Sequence, residues 1–130
     1  MPSAAPTSRI TLLAAAADAV AVVVFAAVGR LSHGVTDDLL GLLGTAAPFG
    51  VGLAAAWTTP LVRRDPVALR AGAVAVVCAA GVGLLLRAGF TGRLPLSFAV
   101  VATVSLAVLL LGWRGLAVLV SRTAAHRAVR

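Results

Sequence analysis

Four stretches of the chain, roughly residues 10–29, 39–57, 67–86 and 96–120, stay apolar for about the 20 residues that a helix needs to cross a hydrocarbon core about 30 Å thick. In lipid the backbone N–H and C=O groups have no water to bond, so each such stretch must satisfy them internally as a helix. The connections between the stretches are short, which makes consecutive helices antiparallel neighbours. The expected fold is all-α: an integral membrane, four-helix transmembrane bundle of up-down topology.

The expected boundaries are a cytoplasmic tail over residues 1–9, one transmembrane domain over 10–120 and a basic tail over 121–130. Its helices should span about 10–33, 37–57, 66–88 and 95–120. The fourth is the least regular, because Gly112, Trp113 and Arg114 interrupt it. The first is read as a retained helix and not a signal peptide, since it exceeds about 7–15 apolar residues and carries Asp18 in its middle.

Composition supports the membrane assignment. The chain is 61% apolar with a mean hydropathy of +1.07, whereas soluble domains are about 45–50% apolar. It has no Glu, Lys, Asn, Gln or Tyr, and all eleven basic residues are arginine. The resulting pI of about 11.9 does not point to nucleic acid, because the arginines fall singly or in pairs and form no stripe interleaved with aromatics. The lone Cys78 lies in an apolar segment and packs as a small apolar residue. No metal-ligand spacing, phosphate loop or nucleophile with its base appears, so neither an enzyme nor a cofactor is expected.

Arginine placement sets the orientation. With the N-terminus inside, eight arginines (9, 63, 64, 70, 114, 122, 127 and 130) are cytoplasmic and three (30, 87 and 93) are outside. Both termini are therefore expected on the cytoplasmic side of a multi-pass cell-membrane protein. On this topology His33 and His126 lie on opposite sides, and Trp57 and Trp113 fall at the inner interface, where membrane tryptophans anchor.

The polar punctuation reads as helix ends. Arg30 and His33 suit the last turn of the first helix and Gly34 its left-handed terminus. Thr36 suits the N-cap of the second helix, with Asp37 and Asp38 in its first turn. Asp65 and Pro66 read as N-cap and first residue of the third helix, Gly89 as its close, and Pro95 as the opening of the fourth.

Helices in lipid associate through small residues that let backbones approach. Gly44, Pro48, Gly52 and Ala56 repeat every four residues on the second helix, and Ala71, Ala75, Ala79 and Gly83 do so on the third. One or both series are expected at helix interfaces, with a kink near Ala47 because Pro48 removes a donor. Residues 18–29 and 72–83 agree at eight of twelve positions, a pattern consistent with hairpin duplication but more simply with low complexity.

Asp18 is the costly residue. An ionised Asp deep in a membrane helix costs about 2.5–3.5 kcal/mol on insertion scales, so a partner must offset it. Arg114 and Arg70 approach from the same side. The functional expectation makes Asp18 a proton or cation site; the structural one makes it an interhelical anchor. Arg30 and Arg87, with His33 nearby, form either an anion-attracting mouth or a set of side chains snorkelling to headgroups.

Asp18, FAAVGRLSHG at 25–34, TAAPFGVG at 45–52, Arg87 and GWRG at 112–115 together resemble a family of small four-helix membrane proteins, domain of unknown function 3054. The resemblance covers nearly the whole chain and implies architecture without a mechanism. It marks Asp18, Gly29, Arg30, Ser32, His33, Pro48, Phe49, Arg87, Trp113 and Arg114.

Two functions are therefore expected. One is a small transporter or channel using Asp18 and arginines, oligomeric because four short helices enclose little volume, with its solute unnamed. The other is a non-transporting component that binds lipid or a partner protein, with Asp18 as a clamp. The bilayer is the expected partner and nucleic acid is not.

Overall fold

The computed structural model describes residues 6–32 and 39–129, and every regular element among them is a helix. In order these are α1 (Pro6–Ser32), α2 (Leu39–Trp57), the short α3 (Pro60–Arg64), α4 (Leu69–Thr91) and α5 (Leu96–Val129). α1, α2, α4 and α5 are each long and apolar enough to cross a bilayer. α1 packs on α2, α2 on α4, α4 on α5, and α5 returns to α1. The protein is an all-α, multi-pass membrane bundle with its four long helices in a closed ring.

Large apolar side chains such as Leu12, Leu40, Val77, Leu85 and Val108 are exposed on the outer surface. In water such a coat would drive aggregation; in a bilayer it is the lipid-facing surface. The interior is built from smaller residues. Ala71, Ala75, Ala79 and Gly83 are all buried along one face of α4 and meet Pro48, Gly52 and Ala56 of α2. Gly44 departs from the expected stripe: it is exposed, and a Cβ there would meet nothing within 4 Å.

Two glycines set the α2/α4 separation. A Cβ on Gly52 would lie 2.8 Å from the Cα of Ala79 and still closer to the Cys78 carbonyl. One on Gly83 would press into the ring of Phe49, 2.9 Å from its Cγ. Phe49, fully buried, fills the gap that Gly83 leaves. α2 continues as helix through Pro48, although proline supplies no N–H for the Gly44 carbonyl.

The helix ends depart from the sequence expectations in four places, the first being that α1 already begins at Pro6, within the expected tail. Asp65 is the C-cap of α3 and not the N-cap of the next long helix, which starts only at Leu69 with Ala68 as N-cap. The extra helix follows from local chemistry. The Thr58 and Thr59 hydroxyls donate to the Ala55 and Ala56 carbonyls at 2.6 Å, closing α2; Pro60 is preset for a first turn; and Val62, fully buried, seats α3 against α2 and α4.

α4 runs through Gly89 and ends at Gly92, which has a φ of 71° and donates its N–H to the Ala88 carbonyl at 2.8 Å. Glycine takes that left-handed conformation without a Cβ penalty. α5 continues past residue 120 to Val129, with His126 and Arg127 in its last turn, where cations complement the helix dipole. Pro95 stands just ahead of α5, its carbonyl accepting the Ala99 N–H at 3.0 Å. The expectations for His33, Gly34, Thr36, Asp37 and Asp38 fall outside the described residues.

This packing makes two glycines of one helix respond in opposite ways. Gly52→Ala should destabilise the bundle by about 1–3 kcal/mol through overpacking, whereas Gly44→Ala should be neutral or gain up to about 1 kcal/mol of helix propensity. Thermal melts of the two purified variants check this, and equal shifts would contradict the close α2/α4 contact.

Candidate functional site

The densest polar cluster joins all four long helices. Asp18, in mid-α1, and Arg114, on α5, are both completely buried and meet as a two-point pair, with Nη1 to Oδ1 and Nη2 to Oδ2 both 2.7 Å. Helical spacing places Asp18 on one α1 face with buried Ala14, Val22 and Phe25, which turns it inward. Arg70, the other candidate partner, instead meets Asp65 at 3.5 Å, with both side chains well exposed. An exposed pair of that kind contributes little.

Each carboxylate oxygen also receives an indole N–H: Trp113 Nε1 donates to Oδ1 at 2.9 Å and Trp57 Nε1 to Oδ2 at 3.0 Å. The tryptophans are thus more than interface anchors. Each turns its one donor inward to the acid.

The guanidinium is equally engaged. Its Nε donates to the Pro66 carbonyl at 2.9 Å, and Nη1 donates additionally to the Leu110 carbonyl at 3.0 Å. Its carbon lies 4.4 Å from the centre of the Trp113 ring, a cation–π contact. Room for the side chain comes from Gly72 of α4, where a Cβ would stand 2.8 Å from Arg114 Cδ. Gly72 is the position that the internal repeat pairs with Asp18. The two half-matching segments therefore present an acid and a gap to the same arginine.

The other half of the bundle is looser. A cleft of about 990 Å³ lies between α1 and α5 and reaches Thr45 of α2 and Arg87 of α4. Arg30, near the end of α1, lines it and donates from Nη1 to the Thr45 hydroxyl at 3.3 Å; that hydroxyl donates to the Gly41 carbonyl at 3.0 Å. Arg87 also lines it, with its guanidinium carbon 4.6 Å from the centre of the Phe98 ring. Phe25 meets Phe49 edge-on at 4.9 Å, and Phe49 lies 6.5 Å from Phe98, so linked aromatic rings connect α1, α2 and α5 beside the cleft.

The sequence candidates therefore form two groups. Asp18 and Arg114 make the clamp; Arg30, Arg87 and Gly29 line the cleft. Trp57 and Pro66 were read only as an interface anchor and a helix start, and no contact was expected of Thr45 or Phe98. A usable signal for the first existed: a single intramembrane carboxylate needs donors at its own depth, and Trp57 ends the helix that packs on α1.

Breaking the clamp on one side should be worse than removing it. Asp18→Leu or Arg114→Met alone should lower stability by about 3–5 kcal/mol, and the double variant should recover part of the loss. Trp57→Phe and Trp113→Phe should each cost about 1–3 kcal/mol by deleting one donor. Denaturation midpoints in one detergent check this; strictly additive losses for the double variant would contradict direct coupling.

No curated protein and no solved structure matches the chain. Residues 15–117, which hold the clamp and every residue lining the cleft, match the model of one family. The chain belongs to that family, described as Protein of unknown function (DUF3054).

Proposed function

We propose that the protein is a non-transporting, membrane-embedded binding component in which Asp18 is an interhelical clamp and the α1/α5 cleft is the ligand-binding region. The observation that carries this reading is the Asp18 carboxylate itself. It is completely buried and takes a guanidinium and an indole donor on each oxygen, and the residues lining the cleft do not include it. A proton or cation carrier needs access and a vacant coordination position; this acid is enclosed by donors that fix it. The cleft, by contrast, offers volume within the range of about 300–1,000 Å³ that ligand sites occupy.

Orientation belongs to the same proposal. With Arg114 tied to Asp18, the remaining arginines still divide seven to three in favour of cytoplasmic termini. The clamp then lies in the inner half of the bundle and the cleft in the outer half.

Two measurements test the reading. In proteoliposomes loaded with a pH-sensitive dye, the protein should give no proton flux that depends on Asp18. A flux abolished by Asp18→Asn, in a variant that still melts cooperatively, would replace the clamp with a transport site. Fusion reporters after Arg130 and in the α2–α4 connection should both report the cytoplasm, and an external signal at either overturns the orientation.

A further inference from the structure

We infer that the α1/α5 cleft binds one anionic membrane lipid, with its phosphate on Arg87 and one hydrocarbon chain lying along α5; this rests on the cleft being the binding region proposed above. The geometry supplies both halves of an amphiphile's requirements. Arg87 stands four residues before the end of α4 at Thr91, and Arg30 two before the end of α1 at Ser32. At about 1.5 Å per residue both guanidinium-bearing positions lie within about 6 Å of the helix ends, near headgroup depth.

Below them the cleft turns apolar. Val101, Val104 and Val108 of α5 and Val28 of α1 line it while remaining exposed on the bundle's outer surface. The cleft therefore opens sideways, towards the hydrocarbon. Residues 101 to 108 rise about 10 Å along α5, enough for a stretch of acyl chain and far too apolar for a free polar solute.

Charge decides the headgroup. Among the described residues no carboxylate lines the cleft, whereas two arginines do. Arg87 is half-buried with its guanidinium carbon over the Phe98 ring, and among the described residues its guanidinium donates to no protein acceptor. Its N–H groups are thus left to meet two phosphate oxygens. An adjoining hollow of about 200 Å³ shares Arg87 and Phe98 and adds Arg93, so positive charge continues across the headgroup end. Simple snorkelling would not require this arrangement, because a snorkelling arginine extends into the headgroup layer and does not fold onto a ring inside a cleft. Basic pockets between membrane helices are known to hold anionic headgroups in this manner.

Native mass spectrometry of the detergent-solubilised full chain tests the inference with three probes: phosphatidylglycerol, phosphatidylcholine and glycerol phosphate. Phosphatidylglycerol should bind about five- to tenfold more tightly than phosphatidylcholine, and glycerol phosphate should not compete. Arg87→Gln should erase the preference, and Arg87→Lys should keep part of it. Should Arg87→Gln fail to fold, Ser105→Asp, which puts a negative charge on the α5 wall of the cleft, should reject phosphatidylglycerol and retain phosphatidylcholine.

Equal binding of the two lipids, or a preference that survives Arg87→Gln, overturns the anionic-lipid assignment. Competition by glycerol phosphate at the same concentrations overturns the lipid in favour of a small anion. Val104→Trp, which fills the cleft, separates these failures from failure of the underlying reading. Loss of both lipid adducts keeps the cleft as the binding region even if the charge argument fails, whereas unchanged adducts show that the cleft is not where ligands bind.

Discussion

Burying a carboxylate and a guanidinium in a membrane bundle is tolerable only when nearly every donor and acceptor finds a partner, and that requirement organises this protein. Asp18 and Arg114 alone would link only α1 to α5. Their remaining hydrogen-bonding capacity draws in Trp57 at the end of α2, Trp113 on α5 and the carbonyl of Pro66 ahead of α4. The position of each helix is thereby tied to a single planar ion pair. Lysine could not substitute for Arg114, because one ammonium cannot present parallel donors to both carboxylate oxygens while also reaching Pro66.

The two halves of the bundle use different physics. Around the clamp, geometry is fixed by directional bonds. Along α2 and α4 it is fixed by the absence of side chains, at Gly52 against Ala79 and at Gly83 against Phe49. Where neither device operates, between the cleft-lining parts of α1 and α5, the helices leave a cavity of about 990 Å³. A tightly hydrogen-bonded region thus stands beside a wide lateral cleft.

The architecture was legible in the sequence because lipid imposes length, apolarity and internal backbone bonding on any spanning segment. The α4 stripe of Ala71, Ala75, Ala79 and Gly83 was legible for a related reason, since small residues at a four-residue interval mark close approach. Helix ends were harder to read. Gly89 and Gly92 look alike in sequence, and only the chain's path shows which adopts positive φ. Asp65–Pro66 resembled a helix start, but Pro60 and the buried Val62 had already directed the chain into α3. The tryptophans' bonds to Asp18 were not legible because interfacial anchoring is the default for indoles in membranes, and the direction of an N–H is a tertiary fact. The choice of Arg114 over Arg70 likewise depended on Gly72 leaving room for one side chain, which no charge pattern displays.

The sequence distance between the clamp partners has a consequence for biosynthesis. Asp18 leaves the ribosome 96 residues before Arg114, and its first indole donor, Trp57, follows it by 39. Chains emerge N-terminus first, so α1 must enter the bilayer carrying an acid whose counter-charge has not yet been made. Trp57 can shield one oxygen when α2 arrives, but the ring cannot lock until α5 is in place. The helix that arrives after the other three therefore serves as their latch. A chain that stops short of it leaves an uncompensated acid in the membrane.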